Sequence, residues 1–328
     1  MSNDKSLLFI AGLGFTGSSA LCDLLSEYKG VLCPSQEWRI WVDPDGLIDL
    51  ANKLSCETSI FHTTTSVNRF SYLIKQLTNS FFGPYSKLKL PTYLKDAYAK
   101  IEFDIKKEFN LECYQGLWYG NSNSFIASAN FAMKRKLWKK DFINKPMWLT
   151  EFSSKNEALT IIGSIVEKHL FNHLIETNNQ HFAVNENFSV LFSDSILHMH
   201  KKAKIVVVIR DILDVYADAH KAGWLAMPYN INQFIKWQKQ MYSQLIKLKS
   251  TNSERIHIVK FESLCNDYEN EIIRLKKFIP DLLNKRVTER FKPDVSKKNI
   301  GQWKSTHPWL EQYYNETQEI ITSLNTLK

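Results

Sequence analysis

The stretch GLGFTGSS, Gly12 to Ser19, carries the residue types that hold a phosphate group. It fits the phosphate-loop template GxxxxGK followed by Ser or Thr at every defined position but one, with Ser18 where a nucleotide triphosphatase has lysine. A turn of backbone N–H groups leading into a helix attracts phosphate through unpaired donors and the helix dipole. Glycine and hydroxyl residues suffice for that; the lysine serves the β- and γ-phosphates alongside magnesium. The spacing thus suits a lone 5′-phosphate site and speaks against ATP or GTP hydrolysis. It equally suits a glycine turn that does no more than pack a strand on a helix.

The elements around this stretch are those such a site requires. Leu7–Ala11 is a short apolar run ending in glycines, as a buried strand entering a turn would be. Ala20, Leu21, Leu24 and Leu25 then recur at helical spacing over 18–27, with serines placed to cap the start. Gly30–Pro34 reads as a second short strand, followed by the polar and aromatic QEWRIWVDPDG. From about Ser66 to Trp148 the chain reads as helical and aromatic, with Leu94, Ala97, Tyr98, Ile101 and Ile105 on one helical face. YQGLWYGNSNSF looks like a loop, and Glu157–Ile175 like an amphipathic helix.

AKIVVVIRD, Ala203 to Asp211, is apolar on both alternating sets of positions and predicts a central strand of a parallel sheet. Helices are expected at about 213–221, 231–249 and 268–279, a strand over RIHIVKFESL, a basic loop over SKKNIGQWKSTHP, and a last helix. Strands alternating with helices predict an α/β fold with a mostly parallel central sheet, which binds ligands at the carboxyl ends of its strands. A single domain over 1–328 is expected, with a helical insertion or lid at about 66–150 that contributes to acceptor binding.

With 44% hydrophobic and 23% charged residues, the composition is that of a globular protein large enough for a substantial core. The polar MSNDKS and the glycine-interrupted run after it match neither a signal peptide nor a membrane span, so a cytoplasmic location is expected. The five scattered cysteines form no CxxC pair, which predicts reduced, mostly buried thiols. The pairs His169/His173 and His198/His200 lack a third ligand and read as helix or loop surface, so no metal is expected. A net charge of +8 suits an anionic ligand, while the absence of a lysine–arginine stripe speaks against nucleic acid.

Four segments in order resemble the sulfotransferases that use 3′-phosphoadenosine 5′-phosphosulfate (PAPS), including their bacterial carbohydrate and tyrosylprotein branches. Thr16, Gly17, Ser18 and Ser19, preceded by Gly14 and Phe15, match the family's SGTT-type element for the 5′-phosphosulfate. Arg210, Asp211, Asp214 and Val215 match its RDPRDV segment, whose arginine binds the 3′-phosphate. KFESLCNDYENEIIRLKKFI is similar to its YEDL…FL unit, and KKNIGQW, with Lys297, Lys298, Asn299, Gly301 and Trp303, to its basic closing loop.

The resemblance implies a phosphate-loop-like sulfotransferase fold and transfer of a sulfuryl group to a hydroxyl, leaving adenosine 3′,5′-bisphosphate, with no metal. Glu37 and Arg39 resemble its general base and anion-stabilising partner, and His62 the histidine base of cytosolic members. The aromatic, tyrosine- and asparagine-rich stretches between about 66 and 150 suit a carbohydrate or glycolipid acceptor, met by peripheral contact where it is membrane-linked, and leave a peptide or phenol open. Three positions depart from the pattern: Phe15 replaces a basic residue, Asp218 a serine, and Asn185–Glu186 stand where a lysine is frequent. These departures also fit a nucleotide- or glycan-binding homologue with altered catalysis; a phosphate-loop small-molecule kinase is opposed by the missing lysine.

Overall fold

The computed structural model describes residues 5–55, 59–79, 85–116, 145–150, 154–223, 227–282 and 289–326. Contacts group the chain into two compact units, Met1–Arg39 with Leu170–Lys328, and Ile40–His169. The insertion expected over 66–150 lies within the second unit.

The first unit is built on five strands: β1 (Ser6–Gly12), β2 (Val31–Leu32), and, after the other unit's hairpin β3 (Glu112–Gly116) and β4 (Lys145–Leu149), β5 (His181–Asn185), β6 (Lys204–Ile209) and β7 (Ile256–Lys260). They form one parallel sheet in the order β2-β5-β1-β6-β7. β1 lies in the middle, with Ile10 opposite both Asn185 and Val206. Leu7 to Ala11 and Ile205 to Ile209 are all buried, because helices cover both faces of such a sheet. Leu8 and Ile10 pack into one core with Leu21, Leu24 and Leu25, while Phe9 on the opposite face stacks on His200. His200 is therefore core, not surface, since its imidazole fills space under the sheet.

Helices follow the strands where their apolar spacing places them: α1 (Ser18–Leu25), then α2 (Leu47–Lys53), α3 (Ile60–Thr78), α4 (Thr92–Glu108) and α5 (Lys155–Glu176), then α6 (Ser193–Met199), α7 (Ile212–Lys221), α8 (Ile231–Thr251), α9 (Phe261–Asn266), α10 (Tyr268–Phe278) and, last, α11 (Tyr314–Thr322). FESL, expected as strand, begins α9, so β7 stops at Lys260. SKKNIGQWKSTHP contains single helical turns at Lys297–Asn299 and Trp303–Thr306. Among the described residues no helix is long and apolar enough to cross a membrane.

In the second unit, Val67, Phe70 and Ile74 of α3 and the five expected residues of α4 are buried. Tyr114 to Gly116, expected as loop, belong to β3, paired antiparallel with β4; the rest of YQGLWYGNSNSF lies outside the described residues. Cys113 on β3 is exposed, whereas Cys22, Cys33 and Cys265 are buried thiols.

The turn from β1 to α1 is decided by backbone, not by serine caps. Gly17 occupies the N-cap at φ 97°, in the left-handed region, with no side-chain cap. A Cβ there would come within 2.5 Å of the Phe261 ring. Gly17→Ala combines an unfavourable φ with that clash and is expected to destabilise the protein by about 1–3 kcal/mol. A lowered urea midpoint at unchanged slope would register this.

Candidate active site

The loops leaving the carboxyl ends of β1, β2, β5, β6 and β7 surround a cleft of about 630 Å³ in the first unit. At one side opens the N-terminus of α1. Ser19 is exposed there, and among the described residues no acceptor takes the Ser18 or Ser19 amide hydrogens. Ser18 Oγ donates to Asn187 Oδ1 at 3.3 Å, which explains why it caps nothing. Thr16 is buried, and its Oγ1 lies close over Gly12, where a Cβ would sit 2.5 Å from it. Phe15, at φ 53°, brings its backbone rather than a cationic side chain to the site: its carbonyl accepts from Arg210 Nη1 at 3.1 Å.

Glu37 and Arg39 enter from the segment after β2. Trp38 between them is fully buried, edge-on to Phe182 at 4.9 Å, and its N–H donates to the Asn185 carbonyl. With Trp38 anchored in the core, Glu37 and Arg39 both line the cleft. Arg39 Nη1 is 2.9 Å from Glu37 Oε2, and Asn187 Nδ2 donates to Glu37 Oε1. The Glu37 carboxyl is thus held from two sides beside the α1 terminus.

Arg210 ends β6 almost fully buried. Nη1 lies 2.6 Å from Asp218 Oδ2, Nη2 donates to the Asn299 carbonyl, and the guanidinium stands 5.1 Å over the Phe261 ring. Asp218, where an anion facing away would leave the arginine open to phosphate, faces it directly. Asp211 caps α7, accepting from the Leu213 and Asp214 N–H groups at 2.9 and 3.1 Å. One turn on, the fully buried Asp214 accepts from Gly301 N–H at 2.7 Å and Trp303 N–H at 3.2 Å. Burial pushes the Asp214 carboxyl above its ordinary value; those two N–H groups and Arg210, 4.0 Å away, pull it back.

The proposed basic loop is therefore tied down by its backbone. Lys297 and Lys298 are exposed, and Lys297 pairs with Asp294 at 3.4 Å. Asn299 and Ser296 line the cleft; Gly301 and Trp303 line a separate hollow beside Asp214. His62 is exposed at the start of α3 in the other unit, bonded to Ser59 Oγ at 2.8 Å, and is not among the residues lining this cleft. His169 is held by Asp104 at 2.9 Å in that same unit, a half-buried contact on the helix. Asn185 and Glu186 are buried, and Asn185 bonds the Ser35 carbonyl.

Asn187, Phe188 and Phe261 line the cleft without having been singled out in the sequence. Their common signal is position: each lies within three residues of a strand's carboxyl end. Asp214→Asn replaces one acceptor by an NH₂ facing a buried N–H. It is expected to cost about 1–3 kcal/mol in equilibrium urea unfolding.

A family model described as "Sulfotransferase family" matches residues 122–280. No curated protein matches the sequence. Among solved structures, the sulfotransferase domain of the Synechococcus PCC 7002 olefin synthase is 14% identical at a TM-score of 0.42, covering 98% of this chain and 94% of that one. The sulfotransferase domain from the curacin biosynthetic pathway is 11% identical at a TM-score of 0.44, covering 98% of each chain. Sulfotransferase STF9 from Mycobacterium avium is 10% identical at a TM-score of 0.38, covering 94% of this chain and 69% of its own. At these scores the structural likenesses add nothing to the reading of the site. By the family match, residues 122–280 of the chain are similar to the sulfotransferase family.

Proposed function

We propose that the protein transfers a sulfuryl group from PAPS to a hydroxyl of an acceptor, a carbohydrate or glycolipid. The observation that carries this reading is that the α1 N-terminus and the Glu37 carboxylate face one cleft. An anion held at the first and a base at the second are the two requirements for moving a charged group onto a hydroxyl.

In this reading the Ser18 and Ser19 amides receive the 5′-phosphosulfate, and the α1 dipole stabilises charge gathering on the leaving phosphate. Glu37 accepts the acceptor's hydroxyl proton as the new O–S bond forms and the S–O bond to the 5′-phosphate breaks. Arg39 and Asn187 hold the carboxylate in place. Arg39 is the cation nearest this carboxylate and steadies the sulfuryl oxygens. Ser18, in place of lysine, suits a donor that presents no γ-phosphate to be neutralised. The 5′ end of the donor fits the cradle; a 3′-phosphate reaches Arg210 only where Asp218 gives way.

Calorimetry is expected to show binding of adenosine 3′,5′-bisphosphate and none of Mg·ATP; the reverse pattern would point to a kinase. Glu37→Gln is expected to keep nucleotide binding while lowering turnover of labelled PAPS by about 10²–10⁴-fold. Unchanged turnover would move the base to another group of the cleft.

A further inference from the structure

Where β5, β1 and β6 begin, at the opposite end of the sheet from the cleft, a cavity of about 470 Å³ opens at the first residues of these three neighbouring strands. Ser6 lies opposite His181, and Lys204 opposite Leu8. The length of β1, Ser6–Gly12, puts about 20 Å between this cavity and the cleft. Lys5, Lys202, Lys204 and Asp281 line it, three ammonium groups against one carboxylate. Lys5 Nζ donates to the Asn179 carbonyl, and Lys204 Nζ to the Phe278 carbonyl at 2.5 Å. Both ammonium groups are thereby held in place with N–H donors to spare. Among the described residues neither of these two lysines is bonded to a carboxylate. His181, only 4% exposed, lines the same cavity. Its Nδ1 meets Ser6 Oγ at 2.8 Å, while its Nε2 has no hydrogen-bond partner among the described residues. The Gln180 Oε1 is buried and unmet in the same way, and a half-turn of that amide presents N–H donors instead.

We propose that this cavity is an anion site separate from the cleft, taking a phosphate group either free or on a small organic monoester. It is independent of the sulfuryl-transfer reading. Three converging ammonium groups repel one another, and a dianion between them removes that repulsion and gains charge-assisted hydrogen bonds. Asp281 supplies one negative charge and is exposed, so it neither cancels the three lysines nor closes the cavity. With the Ser6 hydroxyl donating to Nδ1, the His181 proton sits on Nε2, and a phosphate oxygen satisfies that buried donor. Burial first of all, with Lys204 and Lys5, holds the His181 imidazole below its ordinary value, and Asp281 opposes them; the ring is therefore neutral at pH 7 and offers an N–H without adding charge. The volume exceeds that of a bare phosphate and accommodates a small organic group attached to it.

The test titrates inorganic phosphate and glycerol 3-phosphate into the full chain by calorimetry, at constant ionic strength so that screening is the same throughout. Saturable binding is expected, weakened by about tenfold or more in the double variant Lys5→Gln with Lys204→Gln. Tighter binding of glycerol 3-phosphate identifies a monoester as the ligand, and equal binding identifies the free ion. Should the double variant lose its fold, acetylation of the native wild type reads the same site residue by residue. Inorganic phosphate is expected to make Lys5, Lys202 and Lys204 lose most of their reactivity while the exposed Lys201, which does not line the cavity, keeps its own. Absence of saturable binding overturns the proposal. So does binding that the double substitution leaves unchanged, which places the phosphate elsewhere, and so does equal acetylation of the cavity lysines with and without phosphate.

Discussion

The arrangement of the cleft depends on one buried carboxylate. Asp214 lies one turn beyond Arg210, at zero exposure, and accepts the Gly301 and Trp303 amides. Those bonds bring the 297–303 segment against the end of β6, so that the Asn299 carbonyl can meet Arg210. A buried carboxylate without such partners would be very costly; two N–H donors and a guanidinium make it tolerable, and its raised pKa records the remaining burial cost. The group therefore orders a distant stretch of chain and sets the arginine's surroundings in one stroke.

The loop from β1 to α1 solves a related problem with backbone. Gly17 takes a left-handed conformation because the Phe261 ring fills the space a side chain would need. Phe15, the residue that breaks the expected basic pattern, offers a carbonyl to Arg210 instead of a charge to the ligand. The same ring of Phe261 that packs on Gly17 lies under the Arg210 guanidinium. Loop, arginine and β7 terminus are thus one packed assembly.

Much of the fold was legible from local pattern. The apolar runs at Leu7–Ala11 and Ala203–Ile209 could satisfy their neighbours only inside a parallel sheet, and they form its centre. The α4 face of Leu94, Ala97, Tyr98, Ile101 and Ile105 is buried as its spacing requires. Boundaries were less legible where backbone hydrogen bonding overrode composition. FESL has the aromatic start of a strand yet begins α9, and Tyr114–Gly116 have a loop's residues yet pair with Lys145–Met147. The serines of the phosphate-loop stretch were plausible caps, but Ser18 finds Asn187 across the sheet.

For the site, sequence determined the inventory: a glycine turn feeding a helix, a Glu–Arg pair, and an arginine closing the best strand. These follow from residue type and spacing along one chain, which local physics can read. The partners were decided by tertiary structure alone. Asn187 against Glu37 is 150 residues away in sequence, Asn299 against Arg210 is 89, and neither proximity leaves a local trace. Asp218 shows the difference most sharply. Its spacing placed it two turns beyond Arg210, but whether it faced solvent or the guanidinium depended on how α7 packs at the end of β6.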